Sequence, residues 1–220
     1  MNLILSISFV SIALSSTMAA ILLRNLFFKK SRFSLMQFHA CTVVLPSVYI
    51  YVVVSDMPFL YNALNVSSLG TSLFLGVILG LLWFQQERLL LAFFSKNQKA
   101  RMLDSNTIAK KFNVRDNSLP VSWLSLLSLW VIAFGEELFY RAFGLTLALS
   151  FNHAFFVVLI VLATSFCFAI MHYPYGVISV TSKFIFSLIL FILLYVTGSI
   201  ILPIISHLVF NTKVWKQVRI

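Results

Sequence analysis

The chain has 220 residues, 60% of them hydrophobic and only 10% charged, and its 16 Lys and Arg against 6 Asp and Glu give a net charge of +10. An ordinary soluble domain carries about 25% charged residues, so this composition excludes a water-soluble globular fold and describes a polytopic membrane protein. The positive charge does not argue for nucleic acid. Fourteen of the sixteen basic residues fall in three clusters beside apolar runs, the pattern of cytoplasmic flanks on spanning helices, and no aromatic–basic stripe suits base stacking.

Residues 3–23 form the first apolar run, followed directly by "RNLFFKKSR". A cleaved signal carries its charge in front, so this run reads as an uncleaved span with an external N-terminus. Residues 34–54 predict a second span, and the loop "SDMPFLYNALNVSS" after it, free of Lys and Arg, reads as external. Residues 69–86 predict a third. Segment 87–118 holds seven basic and three acidic residues and is expected on the cytoplasmic side, partly helical along the membrane surface. Glu87 reads as an interface residue.

Pro120 suits the first turn of a fourth helix, which runs to about Ser150. "SFNH" at 150–153 is a turn. Residues 154–172 and 177–197 predict the fifth and sixth spans, separated by Pro174 and Gly176. A short last span, about 199–212, leads into the basic tail 213–220. The expectation is an all-α bundle of about seven transmembrane helices, with all three basic clusters cytoplasmic. Residues 1–118 supply N-terminal spans and a basic loop, and 119–212 hold the chemistry. Cys41 and Cys167 lie inside apolar runs and imply no disulfide framework.

The fourth helix contains "FGEELFYRAF". A charge at the bilayer centre costs about 3 kcal/mol on insertion scales and usually marks function. Glu137 and Arg141 are four residues apart and in the favourable order for a pair. Glu136 lies about 100° away around the helix and has no basic residue three or four positions off. It is the carboxylate left over, suited to proton transfer. His172 closes the fifth span, four residues after Phe168, and His207 and Asn211 share a face of the last one. If these late helices pack together, Glu136, His172, His207 and Asn211 would converge, and a carboxylate, two imidazoles and an amide suit activating water and stabilising an oxyanion. Each signal also has an ordinary reading: an ion pair that specifies the fold, or polar glue between helices. His39 and His153 belong to that ordinary kind.

The three segments "EELFYR" (136–141), "FAIMH" (168–172) and "HLVFN" (207–211) resemble, in order and spacing, the EExxxR, FxxxH and HxxxN motifs of the CPBP family. These are the CAAX-prenyl-protease and bacteriocin-processing intramembrane proteases, also called the Abi family. The resemblance covers 119–212; residues 1–118 are similar only in being hydrophobic spans. It implies an intramembrane endopeptidase of a bacterial cell membrane. In it Glu136 and His172 activate the hydrolytic water, His207 and Asn211 stabilise the oxyanion, and Glu137, Arg141 and Phe168 support them. Its substrate would be a membrane-associated peptide or protein, in CAAX processing, bacteriocin maturation, self-immunity or peptide signalling. The rival is a non-catalytic immunity or transport protein that binds a peptide through the same polar groups.

Glu136, His172 and His207 would also be a sensible zinc set. No HExxH helix accompanies them, and a glutamate acid–base mechanism needs no ion, so the metal-independent route is preferred. One expectation sits badly with the rest. In a straight fourth span from Pro120, Glu136 lies about 24 Å along the axis, whereas His172 ends the fifth span near the cytoplasm. The helix would have to enter late and tilt, or Tyr173–Gly176 would have to be a re-entrant turn in a water-filled cavity.

Overall fold

The structure, a computed structural model, describes residues 66–97, 123–151, 153–172 and 175–218. Every regular element among them is helical: α1 (Val66–Asn97), α2 (Trp123–Glu136), a π-helical segment (Glu137–Phe143), α3 (Gly144–Leu149), α4 (Ala154–Ile170), α5 (Val177–Thr197) and α6 (Ile201–Val218). The spans expected at 3–23 and 34–54, and with them the count of seven and the external N-terminus, lie outside the described residues. So do Pro120 and the basic segment beyond Asn97.

Two of these helices are long and apolar enough to cross a membrane, over Ser68–Phe94 and Val177–Thr197; Ala154–Ile170 is apolar but shorter. Their outward faces carry large apolar side chains, among them Phe74, Leu82, Leu89, Phe155, Phe166, Ile192 and Val196. Water would not tolerate so continuous an apolar surface, and lipid does. The chain is an integral membrane protein.

Boundaries differ from expectation at three places. α1 does not stop near residue 86 but continues to Asn97. α6 runs through the expected tail to Val218. The fourth helix is not α-helical throughout, because its charged stretch Glu137–Phe143 is π-helical. Such segments are rare and gather at functional sites.

α1 packs along α6 on a stripe of small residues. A Cβ on Gly80 would stand 2.5 Å from the Ser206 carbonyl oxygen and 2.7 Å from Val209 Cβ, and one on Gly76 would stand 2.9 Å from both Ile205 Cβ and the Leu202 oxygen. This is the close backbone approach that a GxxxG spacing permits between membrane helices. Ser72 lies on the same stripe and hydrogen-bonds Ser199 Oγ at 3.0 Å. Trp83 and Glu87 continue the stripe, since 72, 76, 80, 83 and 87 follow the three- and four-residue steps of one helical face.

α4 packs back along α3 and the π segment, and His153 caps its start by accepting the Phe155 N–H at Nδ1, 3.2 Å. His153 thus has the ordinary role expected of it. The expected depth conflict is met by packing: His172, at the end of α4, lies against Phe168 and within electrostatic reach of Glu136.

Candidate active site

From Gly135 to Leu145 every residue is buried. A lipid-facing helix exposes one side, whereas this stretch has protein on all of its sides. Glu136, Glu137 and Arg141 therefore meet other side chains rather than hydrocarbon, the usual placement of intramembrane charge.

Glu137 is the centre of the charged chain. Its Oε1 lies 3.2 Å from Arg141 Nη1, as the i,i+4 spacing suggests, and 2.7 Å from His207 Nδ1 on α6. A carboxylate only accepts, so Nδ1 carries the proton and donates. His207 Nε2 then faces Glu136 Oε2 at 3.6 Å. The imidazole is pinned between two consecutive carboxylates, and the order across the site is Arg141, Glu137, His207, Glu136.

Phe168 of α4 is fully buried and holds the rest together. The Arg141 guanidinium lies 3.7 Å above its ring centroid, a desolvated cation–π contact worth about 2 kcal/mol. The rings of His172 and His207 lie 5.0 Å and 5.9 Å from it, the second edge-on. Its backbone oxygen accepts from His172 Nδ1 at 3.0 Å. A carbonyl only accepts, so His172 also carries its proton on Nδ1 and keeps a lone pair on Nε2. His172 lies within electrostatic reach of Glu136, Lys183 and His207. Among the described residues, Arg141 makes no hydrogen bond and Glu137 Oε2 none; ion pair and aromatic face carry the guanidinium.

Of the residues expected at the site, Glu136, Glu137, Arg141, Phe168, His172 and His207 come together. Asn211, one turn beyond His207, is turned towards α2, and its amide donates to the Leu129 carbonyl at the long distance of 3.4 Å.

Residues 118–212 match the Rce1-like family of type II CAAX prenyl endopeptidases. The match is consistent with the CPBP motifs, all three of which lie inside it. It covers less than half of the chain and leaves out α1. No curated protein and no solved structure matches the chain.

The Rce1-like stretch does not enclose its site alone. α1 supplies Trp83, fully buried, whose ring lies 5.2 Å from His207 and stacks at 4.4 Å on both Phe186 and Phe210. α1 also supplies Glu87, which pairs with buried Lys183 of α5. Ser179 Oγ donates to Glu87 Oε1 at 3.1 Å, and Ser182 Oγ to Gln86 Oε1 at 3.3 Å. Lys183 Nζ lies 4.0 Å from the Phe210 centroid and 5.3 Å from that of Trp83.

Sequence reasoning missed Lys183, and with it the partner of Glu87. The signal was present: Lys183 and Arg141 are the two basic residues outside the three clusters, and the rule that singled out Arg141 applies equally to Lys183. Among the described residues, no three of His, Cys, Asp and Glu stand close enough together to hold a metal ion. Glu136, His172 and His207 are thus not gathered as a ligand set, and no step below is routed through zinc.

Proposed function

We propose that the chain is an intramembrane endopeptidase that hydrolyses a peptide bond of a membrane-associated peptide or protein by Glu136- and His172-activated water. The observation that carries this reading is the burial of Glu136 beside His207, with His172 on the shared Phe168 ring, inside the stretch that matches a protease family.

In this reading a water sits between Glu136 and the free Nε2 of His172. Glu136 takes its proton as the oxygen attacks the scissile carbonyl carbon, and His172 holds the water by accepting its other hydrogen. The carbonyl oxygen becomes an oxyanion, which Asn211 stabilises by donating its amide hydrogen and His207 by donating from a protonated Nε2, its Nδ1–H staying on Glu137. For this Asn211 releases the Leu129 carbonyl, a bond that its 3.4 Å length makes weak. The intermediate collapses, the carbon–nitrogen bond breaks, and Glu136 returns the proton to the leaving amine. Glu137 and Arg141 fix His207 and its proton position, as a carboxylate does for a working imidazole. The family resemblance suggests CAAX-like proteins, bacteriocins or their precursors, and peptide signals as substrates.

The test is cleavage of candidate membrane peptides by purified protein in lipid, beside Glu136→Gln and His172→Ala. Loss of turnover with folding and peptide binding retained is the expected result. A wild type that binds but never cleaves, together with a Glu136→Gln variant that still protects cells against a bacteriocin, would overturn the enzyme in favour of an immunity protein.

A further inference from the structure

We propose that Trp83 is a positioning residue for the reaction, contributed by a helix outside the Rce1-like stretch, and that it fixes the plane of the His207 imidazole between Glu136 and Glu137. The proposal rests on the endopeptidase reading and adds to it a component that the three motifs do not contain.

The argument starts from what holds His207. Its Nδ1 has one hydrogen bond, to Glu137 at 2.7 Å. A single bond at one ring atom leaves the ring free to pivot about that atom, and a small pivot carries Nε2 away from Glu136. The 3.6 Å contact to Glu136 is too long to stop it. Two aromatic walls do. Phe168 presents itself edge-on at 89° on one side, and the Trp83 indole lies against the ring at 49° and 5.2 Å. Phe168 comes from the matched stretch and Trp83 does not.

Trp83 is itself held firmly. It lies between Phe186 of α5 and Phe210 of α6, at 4.4 Å from each, so three helices set its plane. Two features of α1 fix the height and rotation of the indole. One turn before it, Gly80 brings α1 against the α6 backbone at the level of Ser206, the residue next to His207. One turn after it, Glu87 is tied to Lys183. A side chain placed by two adjacent anchors on a rigid element is the arrangement that precise site geometry requires. Among the described residues the indole N–H makes no hydrogen bond, so the shape and face of its ring hold Trp83 there rather than its donor.

Three variants test this: Trp83→Leu, which keeps bulk but removes the aromatic face; Trp83→Phe, which keeps a face; and Phe84→Leu, which removes a neighbouring buried aromatic that is not against His207. Displacing a working group by about 1 Å can cost on the order of a hundredfold in rate. Trp83→Leu should therefore lower kcat on the order of tenfold or more with KM little changed, and Trp83→Phe should recover most of that loss. Phe84→Leu should leave kcat near wild type although its thermal stability falls comparably. Equal kcat losses for Trp83→Leu and Phe84→Leu would overturn the proposal, because the effect would then be general loosening.

A second readout needs no turnover. The ¹⁵N resonances of His207, in protein with labelled histidine, should shift in Trp83→Leu and stay near wild type in Phe84→Leu. Unmoved resonances would overturn the positioning role. A wild type without any protease activity would instead leave this readout standing and remove only the endopeptidase reading.

Discussion

Replacing Arg141 by Met tests whether the charged chain at the centre of the bundle behaves as one unit. Arg141 and Glu137 are both fully buried and 3.2 Å apart. Removing one partner of a buried pair costs about 3–5 kcal/mol, because the other charge stays behind without compensation. The lost contact with Phe168, about 2 kcal/mol in full, is partly returned by methionine sulfur against the same ring, so about 4 kcal/mol is expected. Glu137→Gln keeps an oxygen for His207 Nδ1 but strands the buried Arg141 charge in turn, so about 4 kcal/mol is expected there too. The double variant contains no unpaired charge and should fall well short of the roughly 8 kcal/mol sum of the singles, with a coupling of about 3 kcal/mol. Equilibrium unfolding in mixed micelles, followed by tryptophan fluorescence, gives all four corners of the cycle. Additivity within about 0.5 kcal/mol would mean that the two residues do not act as a pair, and the account of Glu137 as the centre of the site would fail.

The other expectations are simpler. Glu136→Gln should abolish proteolysis and change stability by less than about 1 kcal/mol, since shape and hydrogen bonding are kept and only the proton acceptor goes; the reverse result, with Glu137→Gln inactive and Glu136→Gln active, would exchange the roles of the two glutamates. Lys183→Met should destabilise by about 3 kcal/mol by stranding Glu87, and Lys183→Met with Glu87→Gln should recover most of that in the same unfolding assay; no recovery would mean that the pair is not what Lys183 contributes. Gly80→Ala places a methyl 2.5 Å from a backbone oxygen and should cost about 1–3 kcal/mol by overpacking, with a matching fall in activity as α1 moves off α6.

The sequence was most readable where a residue contradicted its surroundings. Glu136, Glu137 and Arg141 stood out in hydrocarbon, and so did His172 and His207 on two later helices, before any packing was known. The boundaries of α5 were readable to the residue because Gly176 and Gly198 bracket an apolar run. The π-helical turn was not readable, since it depends on how α4, α5 and α6 surround that segment, and no local pattern encodes that. Trp83 was hidden for a related reason. A tryptophan in an apolar span looks the same whether it faces lipid or the His207 imidazole, and only the phase of α1 against α6 separates the two. Lys183 was readable and was passed over because Arg141, with its partner four residues away, offered a complete local explanation that Lys183 lacked.

The stripe Ser72, Gly76, Gly80, Trp83 and Glu87 makes α1 sensitive to angular phase. A single residue inserted after Leu81 would turn everything beyond it by about 100° relative to the glycines. The seam to α6 would still close on Gly76 and Gly80, yet Trp83 would swing off His207 and Glu87 off Lys183. The same insertion before Ser72 would leave all five residues in step with one another. Two one-residue insertions, a short distance apart in the chain and alike in composition, thus have opposite consequences. In this protein α1 acts as a camshaft whose lobes are spaced by its helical repeat, and the buried charged cluster reads its rotation more strictly than its sequence.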